Sequence, residues 1–131
     1  MKKRLMVASV VVLGFAPSFI HAQAWSPDMA MLQKLESNIQ PSAYPKWGYA
    51  GKVPDLTNYA RYYAGYTRGA HRLIAGEFVL SEFSAEKAPG IYVVANEKKF
   101  PMIYDGACGV VHVVYDQDSG KILSLTCNGR G

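Results

Sequence analysis

GVVHVVYDQDSGKILSLTC, residues 109–127, is the clearest strand-turn-strand pattern in the chain. Its first arm runs from Gly109 to Tyr115 and its second from Lys121 to Cys127. Between them Asp116-Gln117-Asp118-Ser119-Gly120 reads as a turn, because Asp and Ser side chains bond nearby amides and glycine takes positive φ without strain. Side chains alternate across a strand, so Val110 and Val114 share one face with His112, and Val111 and Val113 share the other. Both faces of that arm are apolar, which predicts a strand in the middle of a sheet.

Working outward, residues 61–80 read as a second hairpin turning at Arg68-Gly69-Ala70. Thr67 opposite His71 is the expected register. It sets Arg61 against Glu77, Tyr62 against Gly76, Ala64 against Ile74 and Tyr66 against Arg72, so opposite charges meet and an aromatic covers a glycine. On that register Tyr62, Ala64, Tyr66, Ile74, Phe78 and Leu80 form the apolar face, and Arg61, Tyr63, Thr67, His71 and Glu77 the wetter one. A loop containing Pro89 leads to a third strand over Ile91 to Ala95, rich in β-branched residues. Phe100 to Tyr104 is a candidate fourth, demoted to an edge by Pro101, with Asp105-Gly106 turning into the next run.

Ser26-Pro27-Asp28 predicts a helix start, with a Ser cap, Pro at the first helical position and an acid near the positive end of the dipole. Met29, Leu32, Leu35 and Ile39 then recur at helical spacing, which gives one amphipathic helix over 27–39. Gln40 to Asp55 holds Pro41, Pro45, Pro54, Gly48 and Gly51 and reads as a loop, pinned by Trp47 and Tyr49, with room for one helical turn at Leu56. The expected fold is α+β: an N-terminal helix packed on an antiparallel sheet of four or five strands. In outline this resembles cystatin-like α+β folds, a likeness of architecture that implies nothing about activity.

Ahead of the helix, Met1 to Arg4 carries three positive charges and Leu5 to Ile20 is apolar apart from small residues and Pro17. These are the two leading regions of a secretory signal peptide, and Ala22-Gln23-Ala24 is an A-x-A cleavage site. Residues 1–24 are therefore expected to be removed, leaving Trp25, or Gln23 if Ala22 is used, at the mature end. The apolar run falls short of the roughly 20 residues of a membrane span, so no stable span is expected after cleavage. The 14 Lys and Arg fall to eleven, against ten acids, a net charge of +1. Such a chain lacks the clustered positive charge of a nucleic-acid or anionic-membrane binder. The remaining 25–131 suffice for a single small domain.

Cys108 and Cys127 are the only cysteines, an even count in an exported chain, and the hairpin brings them opposite or one residue off. A disulfide between them closes a loop of roughly 20 residues and adds about 3 kcal/mol on the chain-entropy model. Together with His71 and His112 they make up a Cys2His2 inventory. Cys108 and His112 stand about 13 Å apart along a strand, however, too far to share one ion, and the same span excludes a Cys-His dyad. No metal and no cofactor is expected, and His112 is expected to be buried and hydrogen-bonded. Glu82 with Glu86, or the turn acids Asp105, Asp116 and Asp118, supply carboxylates for a hydrolase only if a cleft raises the pKa of one. The 116–120 turn lacks the alternating oxygens of an EF-hand.

The expectation is thus a periplasmic or secreted, non-enzymatic binding or inhibitory module of the cell envelope, with an envelope protein or cell-wall component as partner. Its binding surface is expected on the wetter hairpin face, Arg61, Tyr63, Thr67, His71 and Glu77, with Tyr63 as the aromatic anchor. No catalytic residue is assigned. A small envelope hydrolase and a structural subunit of an envelope assembly are the alternatives.

Overall fold

The computed structural model describes residues 14, 25–39, 55–81 and 87–129. The expected leader, apart from Gly14, the Trp47 and Tyr49 anchors and the Glu82/Glu86 pair lie outside the described residues. Among the described residues one α-helix, α1 (Met29–Ser37), accompanies five strands: β1 (Tyr59–Arg68), β2 (His71–Leu80), β3 (Gly90–Val93), β4 (Val110–Asp116) and β5 (Lys121–Cys127). They form one mixed sheet in the order β3-β1-β2-β4-β5, so the chain is α+β. Among the described residues no helix is long and apolar enough to cross a membrane.

Asp28, rather than Ser26, caps α1. Its carboxylate accepts the Met31 amide at 2.9 Å, which satisfies a free donor and sets negative charge at the positive end of the dipole. Pro27 thus precedes the cap. Leu32 and Leu35 are buried on the sheet with Ile39, whereas Met29, at the first turn, faces solvent.

The first hairpin differs from expectation by one residue. Its turn is the pair Gly69-Ala70, so Arg68 opposes His71, Tyr62 opposes Glu77 and Arg61 opposes Phe78. Two-residue turns match strand twist best, and Gly69 supplies the positive φ, +59°, that they require. Because side chains alternate, the slip re-sorts the faces. Tyr59, Arg61, Tyr63, Ile74 and Phe78 now look toward α1, and Tyr62, Leu73, Glu77 and Val79 look to the far side.

β3 runs parallel to β1, from Ala60↔Gly90 to Tyr63↔Val93, which corrects the all-antiparallel expectation. The reason lies in the hairpin: β2 ends at Leu80, opposite Tyr59, so the chain emerges beside the start of β1. β3 starts at that same end, with Gly90 opposite Ala60, and so runs in the direction of β1. Phe100 to Tyr104 forms no strand. Instead Val94, Phe100 and Ile103 lie across the far face, against Ala60, Tyr62, Val79 and Val110.

β4 is central, between β2 and β5. A register shift after Val114 pairs Tyr115 with Ile122 and leaves Leu123 unmatched and exposed. Cys127 consequently faces Val111, three residues beyond Cys108. The disulfide is made not across the ladder but through the turn Ala107–Gly109, where Gly106 and Ala107 take φ of 101° and 50° and bring Cys108 to 4.7 Å, Cα to Cα, from Cys127. Tyr59 Oη donates to the Cys108 carbonyl at 2.6 Å and ties this turn to β1.

Candidate binding site

The five residues expected to bind do not share a surface. Arg61 and Tyr63 turn inward and hold α1. Arg61 Nε lies 3.0 Å from Glu36 Oε1, Tyr63 Oη donates to the same oxygen at 2.8 Å, and Arg61 Nη1 donates to the Leu56 carbonyl at 2.7 Å. Both residues are buried, Tyr63 completely. Thr67 lies on the same side at the exposed strand end. His71 and Glu77 point to the far face, six residues or about 20 Å apart along β2.

On that far face the residues 96–102 overhang the sheet and enclose a cleft of about 300 Å³ between them and β2 and β4. Ala75, Val114, Phe100 and Met102 line it, Glu97 and Lys98 form its rim, and Glu77 and His112 stand at its floor. The overhang is built locally: Asn96 Oδ1 accepts the Lys98 amide at 3.0 Å and starts the turn Glu97–Lys99. Farther on, Asn128 Nδ2 donates to the carbonyls of Ile103 at 2.7 Å and Asp105 at 3.0 Å.

Asn128 also sets the chemistry of the floor. With its amide nitrogen committed to two carbonyls, the oxygen Oδ1 faces His112 Nε2 at 2.7 Å, so Nε2 carries the hydrogen and donates. When the ring is neutral, Nδ1 is then a lone-pair acceptor, and it stands 3.8 Å from Glu77 Oε2, beyond hydrogen-bond reach. The Glu77 side chain is 6% exposed, and its other oxygen, Oε1, is buried without a hydrogen-bond partner. Burial pushes the Glu77 carboxyl above its ordinary range, against the opposing pull that His112 exerts when its ring is protonated. His112, expected to be buried, is 42% exposed by its side chain, and it is hydrogen-bonded.

Two acceptors converging on one gap suit a donor-bearing ligand. They do not suit the His-carboxylate arrangement of nucleophilic catalysis, in which the acid holds the ring N–H and frees the other nitrogen for the nucleophile. No hydroxyl or thiol is found among the described residues lining the cleft. A neighbouring recess of about 500 Å³ beyond Glu97 and Lys98, beside Ala64, Gly65 and Tyr66, is larger but holds no buried charge.

His71, Asp116 and Asp118 also converge, with ligand atoms within 4.8 Å of one another. Their roles are local. Asp116 accepts the amides of Asp118 and Ser119 at 2.9 and 3.2 Å and meets His71 Nδ1 at 3.1 Å, while Asp118 holds the Arg72 amide and guanidinium. Asp118 is held below the usual carboxyl range, first by the Arg72 amide. At Asp116 burial raises the pKa, but the amides of Ser119 and Asp118 outweigh it and the carboxyl is lowered. A cation there would meet the Arg72 guanidinium.

Sequence reasoning picked out Glu77 and His112 separately and missed their pairing. The signal lay in Asn128, next to a disulfide cysteine, whose amide has one orientation once the 103–105 carbonyls are in place. No family model, no curated protein and no solved structure matches this chain.

Proposed function

We propose that this chain is an exported, non-enzymatic binding module of the cell envelope and that its ligand site is the far-face cleft. The observation that carries the reading is Glu77: a buried carboxylate at the floor of a cleft walled by Ala75, Val114, Phe100 and Met102 costs stability, and its Oε2, facing the gap beside His112, is left for a ligand to engage. The Cys108–Cys127 disulfide fits an oxidising compartment, in keeping with cleavage after Ala24. The partner is an envelope protein or a cell-wall component.

The test compares the purified mature chain with a Met102→Ala variant. Met102 is 80% exposed, so the fold is unaffected. Retention on immobilised envelope protein and on isolated cell wall is expected to fall about tenfold, the loss of one interface contact worth roughly 1.4 kcal/mol. Equal retention by both proteins would remove the cleft from consideration. A small hydrolase is the second reading, favoured by the raised Glu77 carboxyl alone; it requires turnover of an envelope polymer that Glu77→Gln abolishes.

A further inference from the structure

We infer that the cleft recognises the ammonium group of a lysine side chain, held between Glu77 Oε2 and His112 Nδ1. The inference rests on the cleft being the ligand site and adds the chemistry of what enters it. Two acceptors 3.8 Å apart do not bond to each other, but one nitrogen sits at about 2.9 Å from each, with its two N–H directions roughly 80° apart, close enough to tetrahedral for both bonds to form. The donor must carry at least two N–H groups on one atom. An ammonium carries three.

Charge selects a cation over a neutral amide, because a buried carboxylate gains most from a charge-assisted bond. Geometry selects ammonium over guanidinium. The guanidinium fork is matched to both oxygens of a carboxylate, and Glu77 Oε1 is buried out of reach, so only one oxygen faces the gap. A compact point charge fits where a planar fork does not. The walls select the stem: Ala75, Val114, Phe100 and Met102 are apolar, which suits the four-carbon chain of lysine. At the rim Glu97 and Lys98 carry opposite signs and leave the floor to decide. In the neutral ring Asn128 holds His112 in the tautomer whose Nδ1 accepts, so that form of the site is organised before the ligand arrives.

The experiment is an NMR titration of the ¹⁵N-labelled, oxidised mature protein with four probes: the Nα-acetyl, N-methylamide derivatives of lysine, norleucine, Nζ-trimethyllysine and arginine. The lysine probe is expected to give saturable shifts at the amides of Glu77, His112 and Val114, with the other three at least about tenfold weaker. Glu77→Gln is expected to abolish the preference for lysine over norleucine, its fold checked in the same spectra. His112→Leu, at a half-exposed position, should do the same. Norleucine or trimethyllysine binding as well as lysine would overturn the ammonium assignment and leave the cleft standing as a site of other specificity. No saturable shift with lysine, or a Glu77→Gln variant that still prefers lysine, would overturn it as well.

Discussion

Glu77 is the residue at which stability and binding pull apart. Its folded-state pKa lies above the ordinary carboxyl value of 4.5 because burial disfavours the charge, an effect that the protonated form of His112 only partly offsets. The sign follows from linkage. A group with a raised folded pKa contributes its full stability below the unfolded pKa, and that contribution is lost as pH rises through the folded value. Glu77→Gln does not titrate. The difference in urea-unfolding free energy between variant and wild type is therefore expected to move in the variant's favour from pH 4 to pH 7, and a pH-independent difference would show that Glu77 is not desolvated. The sequence marked Glu77 as a site residue, but on the strength of an Arg61 partner that the fold assigns to Glu36.

Among the elements, the contact of α1 with β1 decides which side of the sheet is free. Glu36 looks from sequence like a solvent-facing helix residue, yet it receives both Arg61 and Tyr63 and so fastens the helix over one face. Tyr63→Ala removes a fully buried ring packed edge-on to Phe78 at 5.6 Å, together with one bond to Glu36. The expected loss is about 3–5 kcal/mol in urea unfolding, the usual range for large-to-small aromatic truncation in a core. Tyr63→Phe should lose about 1 kcal/mol. An unaltered midpoint for Tyr63→Ala would restore this residue as a surface anchor. Strand positions were legible because β-branched and aromatic runs between turn residues locate strands. The face each side chain takes was not, because a single residue in the turn reverses it.

For the molecule as a whole the disulfide acts at the closing end of the sheet. It joins β5 to the turn that leads into β4, and that turn also receives Tyr59 Oη and donates and accepts backbone bonds with residues 128 and 129. Reduction is expected to lower unfolding free energy by about 3 kcal/mol, the chain-entropy value for a loop of this length. Because Asn128 adjoins Cys127 and holds both His112 and the 103–105 carbonyls, reduction should also loosen the cleft floor. Faster amide exchange at residues 103–105 than at β1 after reduction would show that coupling, and uniform acceleration would refute it.

What the sequence determined by itself is local. A helix within 27–39, the two hairpins, the Asp116–Gly120 turn and the Cys108 to Cys127 bond all follow from spacing, turn chemistry and cysteine count, which act over a few residues or through parity. The one-residue register of the first hairpin, the parallel course of β3 and the descent of residues 94–103 onto the far face were set by long-range packing. These depend on which surfaces are already covered. With Tyr63 and Phe78 buried under α1, the opposite face becomes the side that residues 94–103 partly cover, and there Glu77 and His112 meet although 35 positions separate them in the chain. No local preference encodes that meeting, because it exists only once β2 and β4 are neighbours in the sheet.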